Sequence, residues 1–191
     1  MIKLIAALGN PGPEYMSSRH NAGWQMVEYL SFFKDLSWQE KFNASYSDTM
    51  VGNRKMHIVL PRTFMNRSGG SVAAASVFFK IRPDEILVIH DDLELEFGLI
   101  GFKYGGGLGG HNGLRSVTSS LGTKDFNRFR IGISRPVHKD VTSYVLGSFS
   151  NEEQKELPFL LGAAASTLEE NIDRDIQETG IELRKIRVIG D

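Results

Sequence analysis

The 191-residue sequence contains no cysteine. That absence excludes disulfide bridges, thiolate nucleophiles and cysteine-ligated zinc together, and it suits a reducing cytoplasm, which is the expected location. A long apolar run is also missing. The opening stretch, residues 2–8, is too short for a signal-peptide core or a bilayer span, and it ends at the turn-forming Asn10-Pro11-Gly12. No G-x-S-x-G nucleophile elbow occurs, so a hydrolytic reaction would run most simply through water activated by a base. Internal repeats and low-complexity linkers are absent too. With 41% hydrophobic and 24% charged residues, the composition is that of an ordinary globular chain, and one domain spanning 1–191 is expected.

Net charge is small, −1, but unevenly spread. Residues 98–140 hold seven Lys/Arg against two acids, whereas residues 151–191 hold five against ten. A local basic patch can meet a polyanion whatever the total charge. The same numbers also describe two solvated faces, and charge alone leaves both open.

Short apolar, β-branched runs at residues 3–8, 56–60, 86–90, 100–103 and 128–133 read as strands. Helical patterns fall between them at 21–33, 68–80 and 113–121. A C-terminal helix opens with the capping box Ser150-Asn151-Glu152-Glu153, and Pro158 is expected to kink or restart it. Alternating strands and helices, with strands apolar throughout such as ILVI, predict an α/β layer sandwich with a mostly parallel, mixed β-sheet between helices. In such sheets ligands bind beyond the carboxyl ends of the strands. There the sequence places Asn10 of LGNPG, Asn66 of PRTFMN, His90-Asp91-Asp92, and His111-Asn112 of GGGLGGHNG, so these groups should meet on one rim.

His20 stands at the expected start of a helix. A helix amino terminus disfavours imidazolium, while a nearby carboxylate stabilises it, and the two pulls together suit a general base. Asp91 is positioned to orient it. A histidine at a helix start is also a common capping residue, and His90, Asp91 and Asp92 are also the donors of a hard-cation site, although no second cluster at ligand spacing accompanies them. GGGLGG formally satisfies the dinucleotide fingerprint, yet the next strand ends in Ser134-Arg135-Pro136 where an acidic residue is expected, with Arg135 left to suit a 2′-phosphate. An NADP-dependent oxidoreductase and a non-catalytic RNA-binding module therefore stay in play. Asn10, Asn66 and Asn112 offer amides able to grip a carbonyl and support an oxyanion, and each equally suits a turn.

In order along the chain, LGNPGPEYMSSRHNAG, PRTFMNRSGGSV, IHDDLELEFG, GGGLGGHNGLRSV and FRIGISRP resemble the motif set of the bacterial-type peptidyl-tRNA hydrolases, within residues 3–147. The acidic helical end, about 150–191, lies beyond the motifs. The resemblance implies an esterase that frees a peptide from tRNA dropped by stalled translation. It implies His20 as base, Asp91 as its polarising partner, and Asn10 as the group that discriminates blocked from free aminoacyl ends. Tyr15, Phe64, Asn66, His111 and Asn112 are implied in the substrate site, and Lys103, Arg130 and Lys139 toward tRNA phosphates. No metal or cofactor is implied; the partners are peptidyl-tRNA and stalled large ribosomal subunits, and the state is monomeric. The chain departs from the family pattern at Ser18, Asp92, Glu94, Glu96 and Ser134, where Thr, Glu, Asp, Pro and Gly are usual.

Overall fold

The computed structural model describes residues 1–137, 140–173 and, by backbone alone, 185–187. Its central strands are the continuous apolar runs. β1 (Leu4–Ala7) lies between β4 (Arg54–Pro61) and β5 (Ile86–Asp92), with β7 (Asn127–Gly132) beyond β5, and all four are parallel. Parallel strands are stable when both faces are covered, which is why these four need apolar residues on both sides. Ile5, Ala7, Leu87, Ile89 and Phe129 pack with Met26 of α1 (Ala22–Val27) and with Leu161 and Ala164 of α5 (Asn151–Asn171). Leu4, Ala6, Ile86 and Val88 pack on the other face with Val72 of α2 (Ser68–Phe79) and Val117 of α3 (Asn112–Leu121). The expected layer sandwich is therefore present.

Several local expectations change. A hairpin of β2 (Gln39–Lys41) and β3 (Ala44–Val51) extends the sheet antiparallel to β4, giving an eight-strand order of β2-β3-β4-β1-β5-β7, then β6 (Leu99–Tyr104) and β8 (Lys185–Arg187). The predicted helix over 21–33 is shorter: a 3-10 turn, Arg19–Asn21, leads into α1, which ends at Val27. A further short helix, α4 (Val141–Leu146), is capped by Asp140, whose carboxylate accepts from Ser143 N at 2.9 Å. Pro158 neither ends nor restarts α5, which runs unbroken through it. Proline lacks one N–H, and its exposed position lets water serve the carbonyl left over. The capping box is as expected, with Glu153 N donating to Ser150 Oγ at 3.2 Å and Ser150 N to Glu153 Oε2 at 2.7 Å.

The largest correction concerns β6, which is antiparallel to β7, with Tyr104 opposite Asn127 and Ile100 opposite Ile131. Its carboxyl end therefore lies at the far end of the sheet from the ends of β1, β4, β5 and β7. GGGLGGHNG does not start on the rim; it has to climb back across the sheet face to reach it.

Candidate active site

Two close approaches bring a histidine and a carboxylate together at the rim. Gly23, in the first turn of α1, sits where a Cβ would lie 2.8 Å from both Leu8 O and Ile89 O. Only a glycine lets the helix settle on the ends of β1 and β5. The 3-10 turn just before it then presents His20, buried, to Asp91 near the end of β5, also buried. His20 Nδ1 lies 2.9 Å from Asp91 Oδ1. A carboxylate only accepts, so Nδ1 carries the proton and Nε2 is the nitrogen left with a free lone pair. The contact joins Asp91, not Asp92, to His20, because Asp92 pairs with Arg130 at 3.2 Å.

His111 arrives from the other side. As N-cap of α3 its Nδ1 accepts from Gly113 N at 3.1 Å and Leu114 N at 3.3 Å. Its single ring proton is thereby fixed on Nε2, which donates to Asp91 Oδ1 at 3.0 Å. One carboxylate oxygen thus receives two imidazole N–H groups, and the His20 and His111 rings stand 4.8 Å apart. Among the described residues this is the group whose donor atoms all fall within 4.8 Å of one another, the size of a metal site. The tautomer opposes that use: with Nδ1 committed to two amides, His111 Nε2 is a donor and not a ligand lone pair. The alternative cation site is not assembled either, since His90 Nδ1–H donates to Asp91 O at 2.6 Å and Asp92 is held by Arg130.

Electrostatics follow from this geometry. Burial pushes the His20 pKa down, but the Asp91 charge and hydrogen bond outweigh it, and the net shift is upward. The opposing pull comes from burial, and His20 stands at the start of a helix as expected, in the 3-10 turn that leads into α1. Asp91 is pushed up by burial and held far below the usual carboxylate range by the two histidines, so it stays ionised. His90 is buried, and burial keeps it neutral.

These groups open onto a cleft of about 670 Å³. Asn10, Tyr15, His20, Phe64, Asn66, Asp91, Lys103, His111, Asn112 and Arg130 all line it; Lys139 lies outside the described residues. Asn10 is nearly buried, its Oδ1 accepting from Met65 N at 2.7 Å, which leaves its NH₂ group to offer. Asn21 fixes the Asn10 backbone through Asn10 N to Asn21 Oδ1 at 2.8 Å and Asn21 Nδ2 to Asn10 O at 3.0 Å. Phe64, Asn66 and Asn112 are exposed at the mouth, and Tyr15 is half-buried.

Further lining residues escaped the sequence reading. Val141, Val145 and Leu146 of α4 supply an apolar wall, and Arg128 a cationic floor. An alternating Asn-Arg-Phe-Arg-Ile-Gly strand carries a signal for Arg128, since its inward neighbours Phe129 and Ile131 put both arginines on one face. Burial first, then Arg130 and Arg128, lower the Lys103 pKa. The glycine loop does not serve a dinucleotide: β6 and β7 are antiparallel, the helix amino terminus behind it is filled by His111, and Arg135 is paired with Glu94.

The departures from the family pattern have local partners. Ser134 adopts a left-handed φ of 60° where glycine is usual, and its Oγ accepts from Phe97 N at 2.9 Å while its N–H donates to Leu95 O at 2.9 Å. Its side chain thus secures the loop after Asp92 in return for backbone strain.

A family profile described as peptidyl-tRNA hydrolase matches residues 4–188. A peptidyl-tRNA hydrolase of Geotalea daltonii is 44% identical over 169 residues, 88% of each chain. One from Colwellia psychrerythraea is 44% identical over 181 residues, 93% of each. The crystal structure of peptidyl-tRNA hydrolase from Acinetobacter baumannii superposes with a TM-score of 0.80 at 36% identity, covering 96% of both chains.

Proposed function

The chain belongs to the peptidyl-tRNA hydrolase family, and from that premise we propose that its cleft hydrolyses the ester between a peptide carboxyl group and the terminal ribose of tRNA, with His20 as the base. The observation that carries the base assignment is the 2.9 Å His20–Asp91 contact opening onto the cleft. Neutral His20 takes a proton from water through Nε2 as the water oxygen attacks the ester carbonyl. Asp91, ionised throughout, stabilises the imidazolium. The bond from the acyl carbon to the ribose oxygen then breaks, and the imidazolium returns its proton to that oxygen. General-base assistance accounts for roughly 10²- to 10⁴-fold, and positioning with oxyanion stabilisation for most of the rest. The Asn10 NH₂ group, held by its fixed oxygen, is the donor best placed for the acyl end.

Phe64 and Tyr15 offer faces on which terminal bases or ribose stack, and Asn66 and Asn112 offer polar contacts at the mouth. Lys103 and Arg130 face tRNA phosphates from the cationic floor, and Lys139 is assigned there by resemblance alone. Each phosphate contact releases counterions, so replacing Lys103 should flatten the salt dependence of tRNA binding, and an unaltered slope would remove it from the footprint. Neither a metal nor a cofactor takes part. The protein works as a cytoplasmic monomer of one domain on peptidyl-tRNA from stalled large ribosomal subunits; among the described residues no helix is long and apolar enough to cross a membrane.

The test is turnover of N-acetyl-aminoacyl-tRNA against free aminoacyl-tRNA by wild type and His20→Ala. Wild type should cleave the blocked substrate in preference, and the variant should lose turnover while keeping tRNA affinity. Near-normal turnover by the variant would end the base assignment.

A further inference from the structure

We propose that Arg128 is a positioning residue that pins the glycine loop to the sheet and thereby delivers His111 to Asp91. The need for such a pin arises from topology. Because β6 ends at the far end of the sheet, residues 105–110 must run back across its face before His111 can reach the rim. The segment has little stiffness of its own. Gly105, Gly106, Gly109 and Gly110 all have positive φ, at 59°, 79°, 57° and 75°, and glycine loses more backbone freedom on ordering than any other residue.

Arg128 supplies the order. Its Nη1 donates to Gly107 O at 2.7 Å and its Nη2 to Gly106 O at 3.3 Å. Among the described residues, these are the hydrogen bonds that tie residues 106–110 to another element. Arg128 is 1% exposed, its guanidinium carbon lies 5.0 Å from the Phe126 ring centroid, and it makes no ion pair among the described residues. A buried cation without a carboxylate partner is costly unless its N–H groups are satisfied; here the loop carbonyls take up both Nη groups, while the buried Nε–H has no partner among the described residues, so the loop is what offsets the cost. Arginine's planar fork holds two successive carbonyls at once, which a lysine does not reproduce. Beyond the loop, His111 is locked as a donor by Gly113 N and Leu114 N and reaches Asp91 Oδ1. The loop anchor and the base partner are thus linked in series.

The test is a double-mutant cycle with a spectroscopic arm. Arg128→Lys should lower kcat/KM on N-acetyl-aminoacyl-tRNA by about tenfold. His111→Asn keeps a competent helix cap but is too short to reach Asp91. In that background Arg128→Lys should cost nothing further, because the delivery it serves is already lost. In 15N-labelled protein, His111 should show the Nε2–H tautomer in wild type and a tautomer mixture in Arg128→Lys. Costs that add in full, or a His111 signal unchanged by Arg128→Lys, would overturn the proposal. If Arg128→Lys does not fold, Gly106→Ala perturbs the same anchor from the loop side, since its Cβ would lie 2.9 Å from Lys103 Cε at a φ of 79°, and the same two outcomes decide. The inference rests on His20 and Asp91 as the working pair in its kinetic arm only; a normal His20→Ala enzyme would remove that reading while the tautomer measurement still judges the anchor.

Discussion

The sheet positions two histidine–aspartate clusters, one buried and one partly open to solvent at Asp48, and their histidines behave in opposite ways. At the rim, His20 contacts Asp91 directly and its pKa is raised. On β4, His57 lies across from Asp48 of β3, and the hydrogen-bonded link between them runs through Tyr46: Tyr46 Oη donates to Asp48 Oδ2 at 2.7 Å and lies 2.9 Å from His57 Nδ1. The His57 ring also stacks on Phe79 with centroids 3.8 Å apart. There burial wins, and the attraction of Asp48, opposed by Lys55 and Lys41, does not prevent a lowered pKa. The difference shows what the proposed role of base asks of a buried histidine. A carboxylate must touch it without an intervening dipole or a competing ammonium, and the other ring nitrogen must face a space where a substrate fits. His57 is not among the residues that line the cleft.

The largest effect expected from this contrast is on turnover. His20→Ala should lose roughly 10²- to 10⁴-fold in kcat, while His57→Ala should stay within about twofold on N-acetyl-aminoacyl-tRNA. Equal losses would mean that direct carboxylate contact is not what separates the clusters. Next in size, Asp91→Asn should cost about 10- to 100-fold, less than removing the base itself. Its signature is the pH profile. With Asp91 charged, the acid limb of kcat/KM should fall at a midpoint above the ordinary histidine value of about 6.5, and in Asp91→Asn burial alone acts and the limb should move to lower pH. Asp48→Asn should leave that limb in place.

This contrast also marks how far the sequence could be read. The runs LIAA and ILVI announced central buried strands, because strands covered on both faces need apolar residues at every position. The β3 segment ASYSDTMV did not, since it is largely polar and mostly only partly buried, and owes its strand to pairing with β4. Helix α4 is short, and its visible signal was Asp140 set three residues before Ser143. In the site, Asn10, His20 and Asp91 were legible from motifs, but the local pattern of His57 gave no means of ranking it below His20. His111 was expected to contact substrate; its bonds to the α3 amides and to Asp91 depend on a loop whose route follows from β6 being antiparallel, which an apolar run does not encode. Arg128 was missed because a strand arginine usually belongs to solvent, and only the loop above it makes burial tolerable.

A smaller effect is expected from Tyr46→Phe. It removes the hydroxyl between His57 and Asp48 while keeping the ring that stacks on Phe79 at 5.5 Å between centroids. Stability should fall by about 1 kcal/mol, or about 2–4 °C in Tm, with kcat unchanged. A change in kcat would join this cluster to the active site and break the contrast.

The smallest effect lies in the pH dependence of stability, where the two histidines should have opposite signs. His57 has a lowered folded pKa, so the folded state binds fewer protons than the unfolded one below pH about 6.5. Its contribution is therefore intact above that pH and is lost as pH falls toward the folded value. His20 has a raised folded pKa, so its contribution is fully present below about 6.5 and is lost as pH rises through the higher folded value. Urea midpoints measured across this range should show His57→Asn flattening the acid side of the profile and His20→Asn flattening the alkaline side. If both variants altered the same side, the two carboxylates would be acting alike on their histidines, and the interposed Tyr46 would not be the feature that distinguishes a structural histidine from a base.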